Sequence, residues 1–258
     1  MSTALVTGAT AGIGHAFCRE LAERGHDLVI VARNRARLEN VSDELRAKHS
    51  IKVQILAADL SKRPALQRVA KRLADPDRPI DLLVNNAGFG MSKSFLKGDL
   101  ADEEAMLDVL CRAVLVLSHA GALSMRDRGR GAIINVSSIA GFVPMGTYSA
   151  AKAWVTSFTE TLAHELAGSG VTATALCPGF THTEMHERAN LDMSRLPNAM
   201  WLEADRLVRD ALEDVRAGKV ISIPGAKYKV FAGLAQVTPR PLLRAVSGRA
   251  GSVRRHKS

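Results

Sequence analysis

Ala4-Leu5-Val6-Thr7-Gly8-Ala9-Thr10-Ala11-Gly12-Ile13-Gly14 decides the fold of this chain. An apolar run too short for a helix leads into a turn carrying glycines at 8, 12 and 14. A helical pattern follows, with Ala16, Phe17, Leu21 and Ala22 on one side. Glycines let backbone come close to a pyrophosphate, and the N-terminus of the following helix offers it unpaired N–H groups and a partial positive charge. The spacing is G-x-x-x-G-x-G rather than G-x-G-x-x-G, so the unit reads as a variant dinucleotide-binding turn.

Outward from this turn, Asp27 to Arg33 reads as a second strand, ending where the adenosine ribose of a bound dinucleotide lies. NAD requires an acid there for the ribose 2′-hydroxyl, whereas this chain supplies Arg33, with Arg37 nearby. A guanidinium binds a 2′-phosphate through two parallel hydrogen bonds, so the reading is NADPH over NADH.

The strand–helix alternation then repeats. A helix is expected over Arg35 to Lys48 and a strand over Val53 to Ala57, ending at Asp59-Leu60. Ser61 is positioned to cap a helix reaching Leu73, and a strand over Ile80 to Val84 runs into Asn85-Asn86-Ala87-Gly88. Repeated βα units predict an α/β fold: a Rossmann-type doubly wound parallel sheet with helices on both faces and ligands at the carboxyl ends of the strands. Asp59 is placed to accept a hydrogen bond from the adenine amino group or to cap the next helix. One long helix is expected over 103–125.

The chemistry is expected between Ile133 and Lys152. A short strand ends at Ser138, the chain turns at Gly141 and Pro144, and a helix resumes at Tyr148. Tyr148 and Lys152 share a helix face by their four-residue spacing. An ammonium beside a phenol favours the phenolate, so Lys152 is expected to lower the Tyr148 pKa from about 10 toward neutrality and fit it for general acid or base work. Ser138 is placed to donate a hydrogen bond to a substrate oxygen, which makes a site for a carbonyl or an alcohol.

A strand over Val171 to Leu176 ends in Cys177-Pro178-Gly179. Pro178, Gly179 and Thr183 therefore fall beside the nicotinamide, with Thr183 placed to hold the carboxamide. Residues 184–200 are polar with interspersed Met185, Met193, Pro197 and Met200, and read as a substrate lid.

The length of 258 residues suits one catalytic domain, and 47% hydrophobic composition suffices for a buried core. Cys18, Cys111 and Cys177 show no ligand spacing and read as reduced thiols, and no structural metal is expected. No run approaches the roughly 18 apolar residues of a membrane span, and the chain is read as cytoplasmic. Of its 35 Lys/Arg, ten fall in residues 215–258, which hold no Asp or Glu, leaving 25 basic against 26 acidic side chains elsewhere. This basic tail, from about residue 226, also carries Val230, Phe231, Leu234, Val237, Leu242, Leu243 and Val246. It is read either as helices packed near the substrate cleft or as an amphipathic contact for an anionic membrane or an acidic partner. With aromatics at 4%, nothing supports a nucleic-acid surface.

Taken in order, Thr7-Gly8-Ala9-Thr10-Ala11-Gly12-Ile13-Gly14, Asp59-Leu60, Asn85-Asn86-Ala87-Gly88, Ser138, Tyr148-x-x-x-Lys152 and Pro178-Gly179 resemble the short-chain dehydrogenase/reductase family from Ala4 to about Pro224. The Arg33 region resembles NADPH users. The run Thr147 to Thr156, with Trp201 and Ile223-Pro224-Gly225, is similar to bacterial ketoacyl or ketone reductases.

The resemblance implies a sheet of about seven parallel strands and hydride transfer from the nicotinamide to a carbonyl carbon. Tyr148 would give the proton, Lys152 would bind the nicotinamide ribose and Ser138 would polarise the carbonyl. It extends cofactor contacts to Gly8, Thr10, Gly12, Ile13, Gly14, Arg33, Asp59, Leu60, Asn86, Ala87, Gly88, Pro178, Gly179 and Thr183, and implies a homodimer or homotetramer built on the helices at 103–125 and 146–167.

The chain departs from the family at two places. Leu110 stands where the family carries an Asn that supports a proton relay, and Tyr148 follows Ser138 by only ten positions, a shortened loop that could shift the hydroxyl role to Ser137. The leading expectation is an NADPH-dependent reductase of a ketone or of a 3-ketoacyl-type substrate such as an acyl thioester. The alternatives are a catalytically weak NADPH-binding sensor or interaction protein and a membrane-surface lipid reductase.

Overall fold

The computed structural model describes residues 2–91, 93–182, 197 and 200–245. Seven strands form one parallel sheet: β1 (Thr3–Thr7), β2 (Asp27–Ala32), β3 (Val53–Ala57), β4 (Leu82–Asn85), β5 (Gly131–Val136), β6 (Val171–Leu176) and β7 (Ile221–Ser222). Their spatial order is β3-β2-β1-β4-β5-β6-β7. The order reverses between β1 and β4, so the carboxyl ends of these two strands open a crevice, the usual ligand position of such sheets.

Helices cover both faces because the strands are apolar on both faces. Within β1, Leu5 and Val6 point opposite ways, as the period of two requires. Val6 joins Phe17, Leu21, Leu38, Leu45, Leu207 and Leu212 beneath α1 (Gly12–Glu23), α2 (Arg35–Lys48) and α7 (Ala204–Arg216). Leu5 joins Leu66, Val69, Leu117, Met125 and Leu162 beneath α3 (Arg63–Leu73), α5 (Ala113–Asp127) and α6 (Thr147–Glu165). The chain continues past β7 into α8 (Ala226–Val237). Phe17, Leu21, Ala16 and Ala22 are all buried, as the α1 pattern predicts.

Two expectations need correction. Ser61 does not cap α3: its N–H and hydroxyl both donate to Asp59 Oδ1, at 3.0 and 2.8 Å. The cap position falls on Lys62, and Pro64 occupies the first turn, where no backbone donor is needed. The helix expected over 103–125 is also not uniform. It comprises α4 (Leu100–Leu107), a π turn over Asp108–Arg112, and α5. Such π turns recur at functional sites, and this one contains Leu110.

The rod from Leu100 to Asp127 contains an 18-residue window long and apolar enough in composition to cross a membrane, with a mean hydropathy of 1.6. Its inner side is that of a core helix: Leu117, Gly121 and Met125 are buried, and a side chain added at Gly121 would come 3.1 Å from Leu83 of β4.

Candidate active site

The glycine turn is locked to the end of β4 by the Asn85–Gly88 segment. Asn86 Nδ2 donates to the Thr7 carbonyl at 2.9 Å, and the backbone N–H groups of Asn86 and Ala87 both donate to Thr7 Oγ1, at 2.9 and 3.0 Å. Gly8 has φ +70°, a conformation few side chains adopt. A Cβ there would sit 2.7 Å from Asn86 Nδ2, and one on Gly14 would sit 2.3 Å from the Gly8 carbonyl oxygen. These two glycines are thus demanded by the packing of the turn against β4. Gly12, at φ +53°, opens α1.

A dinucleotide fits what the turn leaves open. The N-terminus of α1 has no side-chain cap and no acidic residue in its first turn, so its leading N–H groups and dipole remain for an anion. Thr10 lies in the turn and Ile13 in the first turn of α1; the Thr10 carbonyl accepts from Arg37 Nη2 at 3.2 Å, tying α2 to the loop. Arg33, just past β2, stands exposed, and among the described residues it makes no ion pair. Asp59 is half-buried at the end of β3 with Leu60 buried behind it. Thr183 and most of the segment read as a lid lie outside the described residues.

Ser138, Tyr148 and Lys152 converge at the carboxyl end of β5. The Tyr148 phenol lies beside the Ser138 hydroxyl, whose oxygen accepts from the Ala140 N–H at 3.1 Å. Lys152 Nζ donates to the Val136 carbonyl at 2.7 Å and lies 5.7 Å from the centre of the Tyr148 ring.

The shortened loop packs by bringing Gly141 onto the backbone of α6. A Cβ there would meet Ala153 N and Lys152 C, each at 2.9 Å. Ser137 is committed elsewhere: fully buried, its hydroxyl bonds the Lys152 carbonyl and Thr156 Oγ1, both at 2.7 Å. Of the two serines, only Ser138 meets the phenol.

The effect of Lys152 on Tyr148 is overturned in the free chain. The protein packed around the phenol pushes its pKa up to about 12, only partly offset by the Ser138 hydroxyl beside it, while burial pulls Lys152 down to about 8. Desolvation disfavours the charged form of each and here outweighs their proximity. Tyr148 is therefore a protonated phenol throughout the neutral range, the state a proton donor needs.

One expected result follows for the pH profile. The Lys152 ammonium is complete below about pH 8 and lost above it, so kcat/KM for carbonyl reduction, which reports free-enzyme ionisations, should fall as pH rises through about 8. A profile flat to pH 10 would remove Lys152 from the reaction.

The surroundings of several residues of this region carried no signal in the sequence pattern. Leu110 is buried, and with Met106 and Ala151 forms an apolar cluster against which Tyr148, Phe89 and Met91 pack. A Cβ on Gly88 would meet Leu110 Cδ2 at 2.7 Å and come within 3.9 Å of Lys152 Nζ. Leu110 therefore fills the space under Gly88, next to the lysine. Glu103 is buried and accepts from Thr147 Oγ1 at 2.6 Å, anchoring the start of α6 just before Tyr148.

Asn85, for its part, points into the core. Its Nδ2 donates to Ser118 Oγ and Asn135 Oδ1, and Asn135 continues to Thr159, a buried network joining β4, β5, α5 and α6. Gly179, after Pro178, rests on the ring of Tyr228: a Cβ there would lie 2.1 Å from Cε2. The Tyr228 hydroxyl accepts from Phe180 N at 3.1 Å and donates to the Met200 carbonyl. Thr181 pairs in parallel with Leu202, so the described residues on either side of 183–199 are pinned to each other.

A glycine-lined dinucleotide crevice beside a serine–tyrosine–lysine group defines a nicotinamide-dependent oxidoreductase. Residues 2–194 match the family described as short chain dehydrogenase, and the chain belongs to the short-chain dehydrogenase/reductase family. It is similar to the 3-oxoacyl-[acyl-carrier-protein] reductase of Aquifex aeolicus, 34% identical over 184 residues that cover 70% of this chain and 74% of that protein. Among solved structures it resembles a short-chain dehydrogenase from Sphingobium yanoikuyae in complex with NADPH (34% identity, TM-score 0.84, covering 92% of this chain and 94% of that one). It also resembles a bulky-bulky ketone specific alcohol dehydrogenase from Comamonas testosteroni (30% identity, TM-score 0.79, covering 93% and 96%).

Proposed function

We propose that the chain is an NADPH-dependent reductase of a ketone or 3-ketoacyl-type carbonyl, with Tyr148 as the general acid. The observation that carries this reading is the convergence of Ser138, Tyr148 and the buried Lys152 at the end of β5, with Lys152 Nζ 5.7 Å from the centre of the Tyr148 ring. When bound, the nicotinamide supplies hydride to the carbonyl carbon. Ser138 hydrogen-bonds the carbonyl oxygen, and Tyr148 protonates it as negative charge develops there. Lys152, whose ammonium lies beside the phenol, stabilises the phenolate left behind and holds the nicotinamide ribose. Phe89, Met91, Met106 and Leu110 keep the tyrosine side of the site apolar.

The α1 N-terminus with Thr10, Gly12 and Ile13 holds the pyrophosphate. Arg33, helped by Arg37, holds the 2′-phosphate, and Asp59-Leu60 faces the adenine. Asn86, Ala87, Gly88, Pro178, Gly179 and Thr183 complete the dinucleotide site. The sensor reading is disfavoured because the proton donor and its lysine are both in place. Leu107, Leu115, Leu123 and Trp154, between 37% and 45% exposed, line α4, α5 and α6. They support pairing of two or four copies through these helices, in a cytoplasmic enzyme.

NADPH oxidation against a panel of ketones and 3-ketoacyl thioesters tests the reading, with Arg33→Ala alongside. Turnover with at least one substrate is expected, and absence of turnover across the panel would favour the sensor. Losing one charge-assisted hydrogen bond should weaken NADPH binding by roughly 1.5–3 kcal/mol while leaving NADH unaffected. Equal NADPH affinity in the variant would dismiss Arg33 as the phosphate ligand.

A further inference from the structure

The outer face of α8 is built the wrong way round for a solvated helix. Its inner side is Tyr228, Ala232 and Ala235, at the spacing of one helix face, and all three are buried. At about 100° per residue, the directly opposite arc consists of Ala226, Val230, Gly233, Leu234 and Val237, without a polar side chain. Val230 is 63% exposed, Leu234 61% and Val237 79%, and Phe231 flanks them at 40%. A helix on the surface of a globular protein normally turns charge outward along this arc.

The charge is displaced to the borders of the face, and it has one sign. Lys227 and Lys229 lie in the first turn. The chain is helical again over 240–245, bringing exposed Arg240 and Arg244 beside exposed Leu242. From residue 215 onward the sequence contains no carboxylate side chain, and Arg249, Arg254, Arg255 and Lys257 follow beyond the described residues.

We propose that α8 and the stretch after it form a seat for an anionic lipid surface, the apolar arc entering the acyl boundary while the bordering cations meet headgroup phosphates. A second copy of the chain fits this face poorly. Two-fold pairing would bring Lys229, Arg240 and Arg244 of both copies together, with no acidic side chain in either segment to offset them. A protein partner would need an apolar trough with an acidic rim, whereas an anionic bilayer offers both without shape matching.

The position of the seat ties it to the proposed reaction. Tyr228, on the inner side of α8, carries Gly179 and Phe180, and α8 also packs on the 139–142 turn that follows Ser138. A molecule seated through α8 therefore holds the Ser138–Tyr148 end of its sheet near the lipid boundary, where an apolar carbonyl substrate partitions. This clause rests on the reductase reading; the lipid contact does not.

Co-sedimentation of the full chain with vesicles tests the seat. With phosphatidylcholine vesicles containing phosphatidylglycerol, at about 0.15 M salt, the protein should pellet, and with phosphatidylcholine alone it should stay in the supernatant. Val230→Asp with Leu234→Asp should lower the bound fraction about tenfold or more, as should Lys229→Glu with Arg240→Glu and Arg244→Glu. These residues are exposed, so both variants should keep the parent's melting temperature.

The proposal is overturned if the parent fails to pellet with the anionic vesicles, or if the variants pellet as it does. It is also overturned if the aspartate pair changes the oligomer size on gel filtration with no vesicle binding by the parent, which would make the face a contact between copies. Vesicle binding without carbonyl reduction would remove the reductase reading and leave the seat intact.

Discussion

Tyr148→Phe should lower kcat for carbonyl reduction by about 10²–10⁴-fold, the range over which a positioned general acid contributes. Its effect on folding should be small. The ring keeps its packing against the Met106, Leu110 and Ala151 cluster. NADPH affinity should also hold, because the glycine turn and the start of α1 are untouched. The measurement is single-turnover NADPH oxidation beside an NADPH titration of the same variant. A variant that turns over within about threefold of the parent would displace Tyr148 as the acid, since the loss of any positioned proton donor exceeds that. Loss of NADPH binding in step with the rate would instead mean that the phenol acts by holding the cofactor.

The parts of this site that were legible in the sequence are those carried by local geometry. Ser138 ends a strand, Tyr148 and Lys152 are one helical turn apart, and no distant contact is needed to know that they face the same cleft. The strands were legible for the same reason: Val171–Leu176 is a short segment rich in β-branched residues that Pro178 follows, and the fold places it as written. The end of β2 likewise shows in the sequence that no acid follows Ala32.

What the sequence hid depends on burial and on contacts between distant segments. Charge spacing suggested that Lys152 lowers the pKa of Tyr148, but the degree of desolvation is a tertiary property, and it dominates both groups. The π turn at Asp108–Arg112 leaves no periodicity signal that distinguishes it from α-helix, so the placing of Leu110 under Gly88 was invisible. Asn85 falls at a strand end, and the sequence alone does not say where its amide points. Its partners Ser118, Asn135 and Thr159 lie on three other elements, and only the folded sheet shows that together they satisfy one another in the core. Tyr228 beneath Gly179 is of the same kind, a contact across 49 positions.

Gly14→Ala should destabilise the protein, against the ordinary sign for a glycine in a helix. Replacing glycine by alanine in a helix interior normally favours folding by up to about 1 kcal/mol. At Gly14, however, the new methyl would lie 2.3 Å from the Gly8 carbonyl oxygen and 2.4 Å from Asn86 Nδ2. Neither neighbour can yield cheaply. The Gly8 carbonyl belongs to the backbone of the turn, and Asn86 Nδ2 is held by the Thr7 carbonyl at 2.9 Å, so relief requires α1 to lift away from the end of β4. The cost combines overpacking, about 1–3 kcal/mol, with a disrupted hydrogen bond of roughly 1 kcal/mol. Because α1 supplies the N–H groups proposed for the pyrophosphate, NADPH affinity should drop with stability. Gly233→Ala is the control: it too lies in a helix, a Cβ there meets nothing within 4 Å, and it should be neutral or stabilising by up to about 1 kcal/mol. Denaturant midpoints for the two variants, with NADPH titrations, decide the matter. If Gly14→Ala unfolds at or above the parent's midpoint, α1 tolerates the methyl, and the tight seating of the glycine turn on Asn86 is not what holds the crevice in shape.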